Sequence, residues 1–449
     1  MSPPLPTCRV ITLGCKVNQY ESQYVQETLE ANGYRAAADG ERAELCVVNT
    51  CTVTMEGDAK SRQWIRRLHR RNAAARIVVM GCYATRDPVA VGKLPGVVRV
   101  ITDKERLPEE LRDFGVVHWP RGIRRFDGHQ RAFVKVQDGC LLHCSYCIIP
   151  QVRPTVRSRA PDDVAAEVAG LVAGGVQEIV LTGVHLGHYG IDLSKGKPKA
   201  EWRRLWHLLD LLADVPGDFR IRLSSLEAAE ARDDLAGAMA RHPRVTPHLH
   251  LCLQSGSDRI LARMKRRYRS RGFLERCARL RAALDVPVFT TDIIVGFPGE
   301  TEADFAETLQ VARAAGFAKI HIFSYSPRAG TPAAALPDAT PPQVIAERRA
   351  RLLELEQDLA GSYARTLIGR RLQALVEGAD PHRPGHVIGT SCRYLPISFR
   401  GHAAALIGRL APVRVTGNTG STLLGDPVAD HAIPPRVNGS LFRMTLPVV

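Results

Sequence analysis

Nowhere in the 449 residues does an apolar run approach about eighteen, so no segment reads as a membrane-spanning helix. The stretch Met1–Thr7 is proline-rich and lacks the basic-then-apolar order of a secretory signal, which leads us to expect a cytoplasmic protein. There is no internal repeat of solenoid type and no low-complexity tract. Acidic residues are in deficit: 46 Asp and Glu face 61 Lys and Arg, a net charge of +15 with a pI near 9.6, and such a balance favours a polyanionic partner.

What is present is an ordinary globular composition, 45% hydrophobic and 24% charged, in a chain long enough for two to four domains. The basic excess is clustered. One group is Arg62, Arg66, Arg67, Arg70 and Arg71; a second is Arg153, Arg157 and Arg159; a third is Arg263, Lys265, Arg266, Arg267, Arg269 and Arg271. Any one of these could be a solvated face. Together they point to RNA.

Strand-like and helix-like runs alternate from the start. Strands are expected at Cys8–Leu13, Leu45–Asn49, Ile77–Met80 and Val97–Ile101, with helices near Glu21–Ala31 and Ala59–Arg71, which predicts an N-terminal parallel α/β sheet over residues 1–125. From about Arg131 six strand–helix units follow, with strands at Ala132–Gln137, Glu178–Thr182, Arg220–Ser224, His248–Leu253, Val288–Val295 and Lys319–Tyr325. They predict a partial (β/α)6 barrel over 126–362, closed off by a long helix from Pro342 to Ile368. Short runs at Leu372–Val376, His386–Ile388, Leu395–Phe399, Ala405–Leu410 and Val413–Thr416, punctuated by Gly and Pro, predict a small C-terminal β-barrel over 363–449.

In a reducing compartment the 11 cysteines are better read as metal ligands or buried thiols than as disulfides. Cys15, Cys51 and Cys82 each follow one of the first three strands, so they emerge on one edge of one sheet, where such sheets gather ligands. Gly14 and Gly81 suit tight turns beside them. Three isolated buried thiols are the alternative. Cys140, Cys144 and Cys147 share the loop after the first barrel strand; three thiolates so placed can hold three irons of a four-iron cluster and leave the fourth open. With His143 they could instead form a tetrahedral zinc site.

The spacing Cys140-x-x-x-Cys144-x-x-Cys147, with Tyr146 before the last cysteine, resembles the radical S-adenosylmethionine superfamily. Adding Cys15, Cys51 and Cys82 makes the chain similar, from about Arg9 to Thr366, to the methylthiotransferases. Thr12-Leu-Gly-Cys-Lys-Val-Asn-Gln-Tyr-Glu-Ser22 and Asn49-Thr-Cys-Thr-Val-Thr54 look most like the branch acting on threonylcarbamoyladenosine in tRNA. Lys16-Val17-Asn18 differs from the triplets usual in the isopentenyladenosine and ribosomal-protein branches. Leu141, Leu142 and His143 stand where members often carry Asn, and Pro154 where Gly is common.

The resemblance implies two four-iron, four-sulfur clusters, on Cys15, Cys51 and Cys82 and on Cys140, Cys144 and Cys147, with S-adenosylmethionine at the second. It implies insertion of a methylthio group at C2 of N6-threonylcarbamoyladenosine at adenosine 37, in a tRNA anticodon stem-loop. It further implies a reductase or a flavodoxin- or ferredoxin-type electron donor, a monomer, and a small RNA-binding barrel of the TRAM type at the C-terminus. Cofactor contacts are expected from Tyr146, Gly183, Ser225, Gln254 and Asp292, at or near strand ends, although each could equally be a structural turn or core polar residue. Other classes remain open at this point: a methylthiotransferase acting on isopentenyladenosine or a ribosomal protein, and a non-catalytic zinc- or cluster-binding RNA protein.

Overall fold

The computed structural model describes residues 5–428. The first unit is a parallel sheet ordered β2-β1-β3-β4-β5, from β1 (Thr7–Thr12), β2 (Arg35–Ala36), β3 (Leu45–Thr50), β4 (Arg76–Gly81) and β5 (Val97–Val100). The central strands β3 and β4 are apolar on both faces, as a sheet covered on both sides requires. Alternation then divides the core. Val47, Val78 and Met80 pack with Val25 and Leu29 of α1 (Lys16–Ala31), while Val48, Ile77 and Val79 pack with Ile65 and Leu68 of α2 (Met55–Arg71). Thr54 caps α2 by accepting the Gly57 N–H at 3.1 Å, and Glu56 and Asp58 at one end with Arg70 and Arg71 at the other suit the helix dipole.

The second unit carries β6 (Ala132–Asp138), β7 (Arg157–Ser158), β8 (Glu178–Gly183), β9 (Arg220–Leu223), β10 (Ser225–Leu226), β11 (His248–Leu251), β12 (Val288–Val295) and β13 (Lys319–Ser324). They form two four-stranded sheets, β7-β6-β8-β9 and β10-β11-β12-β13, joined by a bridge between Ile221 and Val245. The strands β6, β8, β9, β11, β12 and β13 are the six expected units, and the two-residue β7 and β10 are too short to show in a periodicity. Ile179, Leu181, Ile221, Leu223, Leu249, Leu251 and Phe289 belong to the main hydrophobic core. The alternate positions Glu178, Arg220, Arg222, His248, His250, Thr290 and Asp292 carry polar groups on the other face. The helix Pro342–Thr366 lies against β13 and is held by Lys319, whose Nζ donates to Glu356 Oε1 at 2.6 Å.

The C-terminal strands β14 (Arg371–Ala379), β15 (His386–Ser391), β16 (Pro396–Arg400), β17 (Leu410–Thr419) and β18 (Thr422–Pro427) close a barrel ordered β14-β15-β16-β18-β17. The expected strand at Ala405–Leu410 is not one: Ala403–Leu406 is a short helix, as its Ala-Ala-Ala-Leu sequence favours, and β17 begins only at Leu410. The closing strand β18 has no counterpart among the expected runs. Of the expected C-terminal unit, 429–449 lie outside the described residues. This barrel seats on the N-terminal ends of β8 and β9. Buried Glu178 accepts from Arg220 Nε at 2.5 Å and Arg222 Nη2 at 3.0 Å, and the guanidiniums then donate to the carbonyls of Gln373, Thr390 (both 2.8 Å) and Ser391 (3.1 Å).

Candidate active site

Both cysteine triads lie at carboxyl ends of parallel strands. Cys140, Cys144 and Cys147 line a cavity of about 140 Å³ together with Tyr146, Ser225 and Gln254. Its wall also holds Glu227, His185, Cys252 and Arg266. The loop is pinned from below: Ser145 donates its Oγ–H to the Arg263 carbonyl at 2.7 Å and accepts the Ala333 N–H at 2.8 Å on its own carbonyl. Gln254 reaches the cavity with φ +64, a left-handed value rare outside glycine, held by backbone hydrogen bonds to Asp292 and Ile294.

Gly183 and Asp292 are not in the cavity wall. Gly183 permits close approach of Gln137: a Cβ there would meet Gln137 Oε1 at 2.8 Å, the same oxygen that accepts the His185 N–H at 2.8 Å. Asp292 lies 3.2 Å from His250 Nε2, and Cys252 Sγ donates to it at 3.8 Å. Burial alone would raise its carboxyl, but His250, His321 and Lys16 bring it below the usual range.

The histidine beside the triad is His185 rather than His143. His143 is exposed, whereas His185 Nδ1 is 3.4 Å from Cys140 Sγ and its Nε2 is 2.5 Å from Glu230. Burial favours the neutral ring, yet the bonds to Cys140 and Glu230 outweigh it and lift the pKa to about 9. Arg266, buried, donates from Nη1 to Cys144 Sγ at 3.2 Å. Glu227 is only 5% exposed; Arg266 Nη2 stands 3.5 Å away, and neither carboxylate oxygen accepts a hydrogen bond.

In the first sheet, Cys15 precedes α1, Cys51 follows β3, and Cys82 opens the short helix α3 (Cys82–Arg86). Two glycines let these turns meet. Gly14 has φ +100, and a Cβ there would sit 2.9 Å from Cys51 Sγ; Gly81 has φ +99, and its Cβ would strike the Thr50 carbonyl at 2.4 Å. Asn18 ties the turns together, donating from Nδ2 to the Leu13 and Thr50 carbonyls at 2.7 and 3.0 Å. Burial, followed by the neighbouring thiols, pushes the Cys51 thiol up to about 12, and Cys147 likewise. A metal loading either site must therefore displace protons.

The two units pack together beside the triads. Cys82 packs with Ile148 and Val152, directly after Cys147. On one flank a chamber of about 570 Å³, with Cys82 and Arg153 in its wall, opens between the units. On another, buried Arg328 reaches from beyond β13 to Asp58 Oδ2 at 2.5 Å and Thr52 Oγ1 at 2.8 Å, next to Cys51.

The basic groups of the sequence part company here. Arg66, Arg67, Arg70 and Arg71 are exposed on α2. Arg153 and Arg266 are buried against cysteines, and Arg159 pairs with Glu167. Sequence reasoning places these three arginines in an RNA footprint. It does not single out His185, Arg328 or Asp58. Their partners lie far along the chain, although Arg153, six residues past Cys147, carries a local hint.

Residues 7–103 match the uncharacterized protein family UPF0004 and residues 134–312 match the radical SAM superfamily. The threonylcarbamoyladenosine tRNA methylthiotransferase MtaB of Bacillus subtilis is 36% identical, over 90% of this chain and 92% of its own length. The chain belongs to the radical S-adenosylmethionine methylthiotransferase family. The MtaB of Thermotoga maritima is 39% identical over 83% of this chain and 87% of its own, and a tRNA-2-methylthio-N6-dimethylallyladenosine synthase of Nocardioides is 37% identical over 94% and 89%. Among solved structures, the radical S-adenosylmethionine methyltransferase TsrM of Kitasatospora setae shares the fold, with TM-score 0.52 and 14% identity over 74% of this chain and 77% of that one. Membership implies S-adenosylmethionine and four-iron clusters. The donor chemistry fits: two sets of three thiols, one of them in a cavity with a buried carboxylate that accepts no hydrogen bond.

Proposed function

We propose that the chain is a tRNA methylthiotransferase that places a methylthio group at C2 of N6-threonylcarbamoyladenosine. In this reading Cys140, Cys144 and Cys147 hold the cluster that binds S-adenosylmethionine, and Cys15, Cys51 and Cys82 hold the second. The observation that carries it is a pair of three-cysteine sets on two packed units, with Cys82 seated on Ile148 and Val152 in the segment after Cys147, in a chain akin to MtaB proteins. When bound, the cofactors supply the electron, the carbon-centred radical and the methylsulfur group.

The chain's own residues bind, orient and exclude water. Tyr146, Ser225 and Gln254 would hold S-adenosylmethionine at the cavity wall, and Glu227 offers both carboxylate oxygens to a donor on the cofactor. Gly183 would act indirectly, by letting Gln137 fix the turn that carries His185. Asp292 would add a carboxylate near the cofactor; burial would raise it, but His250 first, then His321 and Lys16, hold it below the usual range. The exposed arginines of α2, the helix that follows Cys51, would hold phosphates while the target base is splayed toward the triads.

The reading includes three units over 1–125, 126–362 and 363–449, an electron donor of reductase, flavodoxin or ferredoxin type, and a monomer in the cytoplasm. No described helix is long and apolar enough to cross a membrane.

Nucleoside mass spectrometry of tRNA from cells lacking the protein is the test. Loss of 2-methylthio-N6-threonylcarbamoyladenosine, with the unthiolated nucleoside accumulating, is expected. Loss of the methylthio-isopentenyl nucleoside instead would favour the second reading, which the Nocardioides relative supports. Intact tRNA with an unmodified ribosomal protein would overturn both. As a check on the RNA face, replacing Arg66, Arg67, Arg70 and Arg71 with Gln should weaken tRNA binding and flatten its salt dependence. The log–log slope should change by about 0.7–0.9 for each phosphate no longer neutralised, with iron content unchanged.

A further inference from the structure

Arg153 occupies an unusual position. It is 7% exposed, yet its guanidinium reaches four side chains from three elements. Nε donates to Cys82 Sγ at 3.3 Å. Nη1 donates to Glu21 Oε1 at 2.9 Å and to Asp138 Oδ1 at 2.8 Å. Nη2 donates to Asn18 Oδ1 at 3.0 Å and Glu21 Oε2 at 3.1 Å. Asn18 and Glu21 lie in the first turns of α1, which starts after Cys15; Asp138 ends the strand that delivers Cys140. A single planar group is therefore bonded to the supports of both triads and to one of the thiols.

The charge balance around it is uneven. Lys135 Nζ donates to Glu21 Oε1 at 2.7 Å and also to Asp138, and Lys104 pairs with Glu21. Three cations thus face two carboxylates, one positive charge in excess, along the wall of the chamber between the units. The next group in line is Cys82 Sγ, which would balance that charge as a metal-bound thiolate.

From this we infer that Arg153 is a positioning residue for the N-terminal cluster, raising its reduction potential through the hydrogen bond to Cys82 while holding it in register with the barrel triad. The inference rests on the assignment of a cluster to Cys15, Cys51 and Cys82. Hydrogen bonds to cluster sulfurs and nearby positive charge favour the reduced, more negative state. Arg266 makes the corresponding bond to Cys144, at 3.2 Å, but its other partners, Glu227, Tyr268 and the Cys252 carbonyl, all belong to the barrel. Of these two thiol-bound arginines, Arg153 alone bridges the two sites.

The test uses the full chain carrying Cys140→Ala and Cys144→Ala, which leaves the N-terminal cluster alone, reconstituted anaerobically and titrated by EPR. Adding Arg153→Gln should keep the iron and lower the midpoint. At the potential where the parent is half reduced, the ratio of reduced to oxidised cluster should fall by about tenfold, or 59 mV for one electron. Arg153→Lys keeps the charge but not the fork, and should fall between. In the Cys51→Ala protein, which isolates the barrel cluster, Arg153→Gln should leave the midpoint unchanged. An unshifted N-terminal midpoint with iron retained would overturn the inference. So would loss of that iron from both the Gln and Lys variants, since Arg153 would then serve folding alone. If the double-cysteine parent itself holds no iron, the cluster assignment fails first and takes the inference with it.

Discussion

The two cysteine triads reach similar ends by different routes. The barrel triad lies within eight residues of one loop, so local sequence nearly suffices to bring its thiols together. The N-terminal triad is assembled by a sheet: its thiols come from three βα turns and meet only when β1, β3 and β4 pair in register and two glycines let the turns touch. The first is a motif in the chain. The second is a property of the fold, and it depends on residues that never ligate anything.

The sharpest way to break that comparison is to delete one triad at a time. Reconstituted protein should hold about eight irons, and either Cys140→Ala with Cys144→Ala, or Cys51→Ala, should leave about four. The outcomes should then cross. The first variant loses reductive cleavage of S-adenosylmethionine altogether, whereas Cys51→Ala retains cleavage and loses methylthiolation. Loss of cleavage in Cys51→Ala with the barrel iron intact would mean that the triads are not separable in function.

Next in size are the turns. Gly81→Ala puts a Cβ 2.4 Å from the Thr50 carbonyl at φ +99; Gly139→Ala puts one 1.9 Å from the Thr155 carbonyl at φ +75, just before Cys140. Iron and sulfide analysis should show each variant depleted at its own site only. Equal depletion of both sites by Gly81→Ala would show that the barrel loop also relies on the sheet.

Arg328→Ala is expected to act on the interface itself. It strips a buried partner from Asp58, but Arg86 remains as a cation, so it should cost about 1.5–3 kcal/mol in urea unfolding. A change within about 0.5 kcal/mol would make this pair dispensable.

Acid should have the smallest effect. Burial would raise the Glu21 and Asp138 carboxyls, but Arg153, Lys104 and Lys135 overcome it and hold both below their ordinary values of 4.5 and 3.8. A depressed carboxyl stabilises the fold above its unfolded value and loses that contribution on protonation, so the interface should hold steady above about pH 5 and weaken as pH falls through the range below 4.5. Limited proteolysis between the two sheets, compared at about pH 6 and about pH 4, reads this directly; equal cleavage would contradict it.

Much of this architecture is legible in the sequence. The six barrel strands stand out because apolar residues run or alternate in each before polar or turn-forming residues end it, and the cysteines declare themselves by following strands. Where the reading fails, distance along the chain is the reason. Nothing near Arg328 announces Asp58, and Arg266 looks like one more member of a basic run until the fold turns it onto Cys144. Composition sees charge but not burial, so arginines with structural duties and arginines facing solvent look alike. Ala405–Leu410 misleads in a different way: its apolar run suggests a strand, where alanine favours a helical turn.

The seat of the C-terminal barrel has a bearing on how this protein could change over time. Arg220 and Arg222 grip it through the carbonyls of Gln373, Thr390 and Ser391, which are main-chain atoms. Any residue at those three positions offers the same acceptor, so this part of the dock does not depend on side-chain identity, although Thr390 Oγ1 also accepts from Arg131 at 3.1 Å and Ser391 is fully buried. Constraint falls instead on the host strands, which must keep Glu178 and both arginines, and on the path of the guest backbone, as at Gly389, where a Cβ would lie 2.0 Å from the Leu375 carbonyl. A module held this way can be rewritten on its outer surface without coming loose.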